Sequence, residues 1–350
     1  MARCLVGCGS NLGSRREHLD RAVELLGFMP GVSIRAVSRF RETRPVGGPS
    51  GQSAFLNGAC LIETDLGPHE LLDALAAVEQ TLLRQRSERW AARTIDLDLL
   101  LYDDLVLDTA DLTLPHPRMT TRRFVLEPCV EIAAAFAHPA AGCTVRDLLA
   151  NISVPHPLVS IVGAPGSGVV EIAEAVADAT LARHLTAPVP VPGDPDPIAW
   201  REVAAEWARS LERRDRDDAG HVTVADFWLD GLSLSAAARL GPAAAAAIEA
   251  DVDGLAASSA VPNVVILLLV DADAIVERLG DGMAGRGGAA VCATPPAAVA
   301  AALAEQERLV HRLQGAGGRA ARTPLAVVSV DARDQARAVG EAAAAVEAML

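Results

Sequence analysis

Asp96 and Asp98 stand two apart inside an otherwise aliphatic run, Ile95-Asp96-Leu97-Asp98-Leu99-Leu100. In a strand, residues i and i+2 point the same way, so the two carboxylates share one face and Ile95, Leu97 and Leu99 the other. A carboxylate pair of this kind suits magnesium, as one ion or as two about 3.5–4 Å apart. Taken alone, it would equally describe an amphipathic strand with a wet outer face. The neighbours change that. Arg84, Arg86, Arg89 and Arg93 lie just upstream, with Trp90 among them. An arginine run is ordinarily a solvated face. Beside an anionic metal seat it suits a polyphosphate, because metal ions bridge phosphate oxygens while guanidiniums neutralise transition-state charge. A single arginine finger doing this is worth roughly 10³–10⁵ in rate.

The surrounding pattern supplies elements to hold these groups. Residues 3–8 read as a short buried strand, and Ser14-Arg15-Arg16-Glu17 as a capping box opening a helix on Leu19, Ala22, Val23 and Leu26. Residues 32–40 alternate as a strand. After the loop Thr43-Arg44-Pro45-Val46-Gly47-Gly48-Pro49 comes another strand near 55–62. Pro68 opens a helix whose apolar face is Leu71, Leu72, Leu75, Val78 and Leu82. The aspartate strand follows the arginine-rich loop. The order β-α-β-β-α-β with antiparallel pairing is the ferredoxin-like arrangement, a sheet backed by helices on one face. Pro115-His116-Pro117 sits in a loop, with short helices near 126–135 and 145–151.

Residues 1 to about 155 closely resemble the 6-hydroxymethyl-7,8-dihydropterin pyrophosphokinase family. The likeness rests on Gly9-Ser10-Asn11, Thr43-Arg44-Pro45-Val46-Gly47, Phe55-Leu56-Asn57, Glu79, Arg84, Arg89-Trp90, Arg93-Thr94-Ile95-Asp96-Leu97-Asp98, Pro115-His116-Pro117 and Arg122-Arg123-Phe124. The resemblance implies pyrophosphate transfer from ATP to the pterin hydroxymethyl group, with release of AMP, in folate biosynthesis. It implies that Asp96 and Asp98 hold two magnesium ions on ATP, and that Arg84 and Arg93 contact the triphosphate as catalytic groups. Glu79, Arg86, Arg89, Trp90, Leu99, Thr113, His116 and Arg122 fall at positions that bind ATP, Arg89 and Trp90 within the closing loop. For the pterin, Asn57 offers an amide edge, Phe55 and Phe124 sandwich the ring, and Thr43, Arg44 and Val46 complete the pocket. Three departures touch the closing loop. Ala91-Ala92 replaces the family's usual Gly-Pro, Leu83 stands where glycine usually precedes Arg84, and the stretch between Arg86 and Arg89 is one residue shorter than in some members.

A second pattern starts after Val154-Pro155-His156-Pro157. Strands near 158–162, 222–227, 264–270 and 326–330 alternate with Ala-rich helices, one of them expected over 169–183, which indicates a parallel α/β sheet. Gly163 and Gly168 have the spacing of a phosphate-binding P-loop between strand and helix, but Val169 and Val170 replace its lysine and hydroxyl. "VADFWLDGL" and "VPNVVILLLVDADAIVERL" resemble elements of deoxynucleoside kinases, with Arg286 matching a lid arginine. The expectation is a fused P-loop NTPase-like unit over 158–350 that is catalytically inactive and used for packing or homodimerisation. The alternatives are a bifunctional enzyme that also phosphorylates deoxynucleosides, and a non-catalytic nucleotide-binding or scaffold protein.

Bulk properties narrow the partners. The 350 residues carry a net charge of -14, and every one of the 31 basic residues is arginine. Up to residue 155 there are 16 arginines against 19 acidic residues; beyond it, 15 against 26. This excludes a general nucleic-acid or anionic-membrane binder, and chemistry that needs a lysine. Six scattered cysteines show no ligand-like spacing. The longest apolar run falls far short of the ~20 residues of a membrane span. Small-molecule partners and a cytoplasmic setting are expected.

Overall fold

A strand that is apolar on both sides has to be central and covered on both faces. β1 (Ala2–Ser10) is such a strand, buried from Cys4 to Ser10 in the computed structural model, which describes residues 1–49, 51–82, 92–188, 196–212, 222–284, 296–314 and 326–350. β2 (Val32–Val37), β4 (Phe55–Thr64), β1 and β5 (Asp96–Tyr102) lie in that order, all antiparallel, and β3 (Arg41–Thr43) pairs with β4. With α1 (Arg15–Gly27) and α2 (Pro68–Thr81) this is the ferredoxin-like β-α-β-β-α-β order. Leu19, Leu26, Leu71, Leu75 and Val78 of the helices pack on Cys4, Val6, Cys8, Cys60, Leu97 and Leu99 of the sheet.

Two local readings are corrected. Ser14 precedes α1, but its side chain makes no cap bond; instead the Arg15 amide donates to Gly13 O at 2.9 Å, with Gly13 at φ 66°. The sheet is also not backed on one face only. After the hairpin of β6 (Leu107–Asp108) and β7 (Thr113–Leu114), α3 (Arg123–Ala133) crosses the other face over β4. The hairpin of β8 (Ala137–His138) and β9 (Cys143–Thr144) leads into α4 (Val145–Ile152). There Thr144 and Asp147 form a true reciprocal cap. The first unit comprises Met1–Ser153 and, in addition, Glu347–Leu350.

The second unit, Val154–Val346, is built on a five-stranded parallel sheet. From β10 (Leu158–Gly163) the chain runs through α5 (Val169–Thr180) to β11 (Arg183–Leu185), then through α6 (Pro197–Glu212) to β12 (Thr223–Ala225). α7 (Leu229–Arg239) and α8 (Pro242–Ala256) precede β13 (Val264–Leu269). α9 (Ala272–Ala284) and α10 (Pro296–Gln314) precede β14 (Ala326–Asp331), and α11 (Gln335–Glu347) follows. The strand order is β11-β12-β10-β13-β14, so the chain reverses direction beside β10, where α/β sheets open a crevice at their carboxyl ends. The helix expected over 169–183 stops at Thr180. Leu181 adopts a left-handed φ of 54°, and Arg183 starts an unexpected strand.

Candidate active site

Strand register assembles the site. Gly9 of β1 faces Asn57 of β4 on one side and Asp96 of β5 on the other, and Gly7 faces Ala59 and Asp98. Asn57, Asp96 and Asp98 therefore point from the same face across a glycine floor, the face opposite the α1 and α2 core. The floor needs its glycine. A Cβ on Gly9 would lie 2.6 Å from Asn57 Oδ1, so no side chain fits beneath that amide. Leu97 and Leu99 alternate inward, 6% and 3% exposed, as the two-face reading of this strand requires.

Arginines bracket the carboxylates. Arg93 Nη1 lies 2.9 Å from Asp96 Oδ1, while its Nε is buried with no hydrogen-bond partner among the described residues. Arg122 Nη1 lies 4.0 Å from Asp98 Oδ2. Burial lowers the Arg122 pKa from the ordinary arginine value, opposed by Asp98 and Asp96. Among the described residues no group of three or more His, Cys, Asp and Glu converges as a metal cage. Two carboxylates on one face nonetheless fit magnesium, which takes one or two carboxylates and completes its shell with water and substrate phosphate oxygens.

His116 follows β7, and its amide donates to Leu100 O on β5 at 2.9 Å. Burial, with Arg122 and Arg118 adding to it, pulls its pKa down to about 3, so the ring is neutral at physiological pH. Its Nδ1 accepts from the Arg118 amide at 3.2 Å, which leaves the proton on Nε2 as a donor. Thr113 is half-buried and donates to Asp108 Oδ1 at 3.1 Å.

Beyond the glycine floor lie the residues expected to hold the pterin. Asn57 Nδ2 donates to Thr43 Oγ1 at 2.7 Å, which fixes the amide plane. The Phe55 ring lies 6.0 Å from the Arg93 guanidinium carbon, and Phe124 lies 5.7 Å from that of Arg122. Each aromatic thus stands beside an arginine of the carboxylate end. Arg44 and Val46 follow β3 in irregular chain, with Arg44 exposed.

Two expected contacts sit elsewhere. Glu79 is 5% exposed and its Oε1 accepts the Leu97 amide at 2.7 Å, so it braces β5 from α2 behind the site. The Leu99 side chain lies in the core, leaving only its main chain for a ligand. Arg84, Arg86, Arg89 and Trp90, with Leu83 and Ala91, lie outside the described residues, as does Arg286. Sequence reasoning assigned no role to Asn11, which is 2% exposed. Its Oδ1 accepts the Arg93 amide at 2.8 Å, and its Nδ2 donates to Gln52 Oε1 at 3.2 Å and Ser53 O at 3.4 Å. An asparagine in the turn after β1 was the available signal.

In the second unit, the glycine loop and residues 226–228 line a cavity of about 590 Å³. Val170 at the hydroxyl position is 50% exposed. Arg278, which also lines this cavity, donates from Nη1 to Ser167 O of the loop at 2.9 Å and from Nη2 to Arg333 O at 3.2 Å.

Residues 5–134 match the family model described as 7,8-dihydro-6-hydroxymethylpterin-pyrophosphokinase. A 2-amino-4-hydroxy-6-hydroxymethyldihydropteridine pyrophosphokinase of Bacillus subtilis is 45% identical over 127 residues, covering 36% of this chain and 75% of that protein. Its counterpart in Methylorubrum extorquens is 41% identical over 153 residues, covering 43% of this chain and 94% of its own. A solved deoxyadenosine kinase from M. mycoides aligns with 53% of this chain and 94% of its own at a TM-score of 0.36 and 11% identity. The architecture of the second unit accordingly rests on its own strand order. The first unit, with its carboxylate pair, flanking arginines and buried amide, makes this chain a member of the 7,8-dihydro-6-hydroxymethylpterin-pyrophosphokinase family.

Proposed function

We propose that the first unit transfers pyrophosphate from ATP to 6-hydroxymethyl-7,8-dihydropterin and releases AMP. The observation that carries this reading is the row Asn57, Gly9, Asp96, which joins a heterocycle-reading amide and a metal-binding carboxylate on one floor. Asp96 and Asp98 would hold magnesium, two ions in the full reading, which supplies charge neutralisation and alignment of the phosphates. Arg93 and Arg122 meet the oxygens that gain charge, with the buried Arg93 Nε, unpartnered among the described residues, as a donor in place. His116 offers its Nε2 proton to the nucleotide as a hydrogen bond, not as an acid. Asn57 reads the pterin edge, and Phe55 and Phe124 hold its ring so that the hydroxymethyl oxygen faces the β-phosphorus. That oxygen bonds to the β-phosphorus, the bond to the α–β bridging oxygen breaks, and AMP departs with the electron pair. The hydroxyl proton leaves to solvent. Positioning and electrostatics account for most of such a reaction, so a dedicated base is not required.

The second unit, in the same reading, transfers no phosphoryl group, because Val169 and Val170 offer neither cation nor metal ligand. The substrates are small molecules and the setting cytoplasmic; among the described residues no helix is long and apolar enough to cross a membrane. The test is AMP formation from ATP, magnesium and the reduced pterin alcohol. Wild type is expected to form AMP, and Asp98→Ala to lose roughly 10²–10³ or more of the rate. Absence of AMP from wild type would sink the assignment. ADP formed with any deoxynucleoside would overturn the reading of the second unit in favour of a bifunctional enzyme.

A further inference from the structure

α3 begins without a side-chain cap. Its N-cap position is Arg122, whose side chain is turned toward Asp98 and makes no cap bond to the first helical amides. Such amides need acceptors. The amide of Arg123, the first helical residue, donates at 2.8 Å to Ala348 O, a main-chain carbonyl more than two hundred residues away in sequence. The Arg123 side chain completes the clamp. Its Nε donates to Met349 O at 2.8 Å, Nη1 to Ser153 Oγ at 3.2 Å and Nη2 to Ile152 O at 3.3 Å. Ala348 and Met349 are 4% and 1% exposed, so the two carbonyls belong to buried residues, while the Arg123 side chain reaches them from a partly exposed position. All these residues belong to the first unit.

The two residues flanking Arg123 are Arg122 and Phe124, one beside Asp98 and the other placed to stack the pterin. We propose that Ala348 and Met349 serve as a distant cap on α3, and that Arg123, through them, is a positioning residue for Arg122 and Phe124. The proposal rests on the roles given above to those two side chains. It makes the catalytic efficiency of the first unit depend on a segment far outside residues 5–134, where the family resemblance ends.

The test uses the full chain, a variant lacking residues 348–350, Arg123→Gln and Arg123→Lys. Steady-state kinetics are read separately for both substrates, with amide hydrogen exchange over residues 123–126. Deletion is expected to raise the KM for the pterin about tenfold, the factor to which loss of an ordinary helix cap corresponds, and Arg123→Gln, which keeps the amide bond to Ala348 O but weakens the side-chain clamp, to raise it less. Exchange at 123–126 should rise in both. Arg123→Lys, which keeps a donor toward Met349 O, should recover part of the loss. A destabilised control, Leu26→Ala in the core under α1, should lower the melting temperature without changing either KM. Unchanged KM values and unchanged exchange in the deletion variant would overturn the proposal. Exchange is read without turnover, so if wild type formed no AMP the capping claim would still be decided separately.

Discussion

At the scale of single residues, the least conspicuous group does the most joining. Asn11 bonds the Arg93 main chain through its Oδ1 and the 52–53 loop through its Nδ2. It thereby links the chain entering β5 with the chain entering Phe55. Replacing one buried partner leaves the others unsatisfied, at about 1–3 kcal/mol for each group stranded. Asn11→Ala is therefore expected to raise KM for both substrates, whereas Asn57→Ala should raise it chiefly for the pterin. Equal effects of the two variants on both substrates would remove the distinction. His116 gives a second prediction with a definite sign. Its folded-state pKa near 3 lies below the ordinary 6.5, so between those values the unfolded chain binds a proton that the folded chain does not. The stability tied to this neutral ring is complete above 6.5 and is lost as pH falls. Thermal unfolding at about pH 7 and about pH 5 should show His116→Asn losing less stability than wild type; equal losses would mean that the ring protonates freely.

At the scale of elements, β1 carries the fold and the site through opposite faces. Cys4, Val6 and Cys8 pack under α1 and α2, while Gly9 leaves room above for the Asn57 amide. Gly9→Ala should therefore leave the sheet intact, displace the Asn57 amide and weaken pterin binding more than nucleotide binding; equilibrium titration with each substrate would show the asymmetry. A Cβ on Gly58, by contrast, would come 2.4 Å from a Phe40 ring carbon on the core side, so Gly58→Ala should cost stability instead. The period-two pattern around Asp96 and Asp98 was legible because each residue's face is decided locally. So were α2 and the strands β10, β13 and β14, apolar elements with clear punctuation. β11 was not, because its three residues follow an alanine-rich helix without a break in hydropathy. Ser14 misled because its motif is right while its backbone, at φ −75° and ψ 68°, does not take the extended conformation of a capping residue. The bond of Glu79 to the Leu97 amide was not legible, because it depends on which edge of β5 goes unpaired, a property of the sheet and not of its neighbours in sequence. The cap on α3 leaves no local trace at all, since its two partners meet only in the folded chain.

At the scale of the whole molecule, the absence of lysine leaves phosphate recognition to arginine, and the two units spend their arginines differently. In the first, Arg93 and Arg122 face carboxylates that magnesium can take over, which frees the guanidiniums for phosphate oxygens. In the second, both arginines that line the cavity among the described residues are committed within the protein. Arg239 lies 3.5 Å from Glu305, whose other oxygen accepts from Ser235 at 2.5 Å, and Arg278 holds main-chain carbonyls. Glu171, in the first turn of α5, brings its carboxylate to the glycine loop: a Cβ on Gly168 would lie 3.9 Å from it. A carboxylate there already complements the helix dipole and repels an incoming polyphosphate. The sequence acidity, concentrated beyond residue 155, acts in the same direction. Magnesium-ATP is therefore expected to slow amide exchange in β5 while leaving Gly166, Gly168, Val169 and Val170 exchanging as before. Replacing Val169 by lysine and Glu171 by glutamine together should bring protection to the loop, because the double variant restores a cation and removes the competing carboxylate. If wild type already protected the loop, its backbone amides alone would suffice for phosphate, and the charge argument would fail.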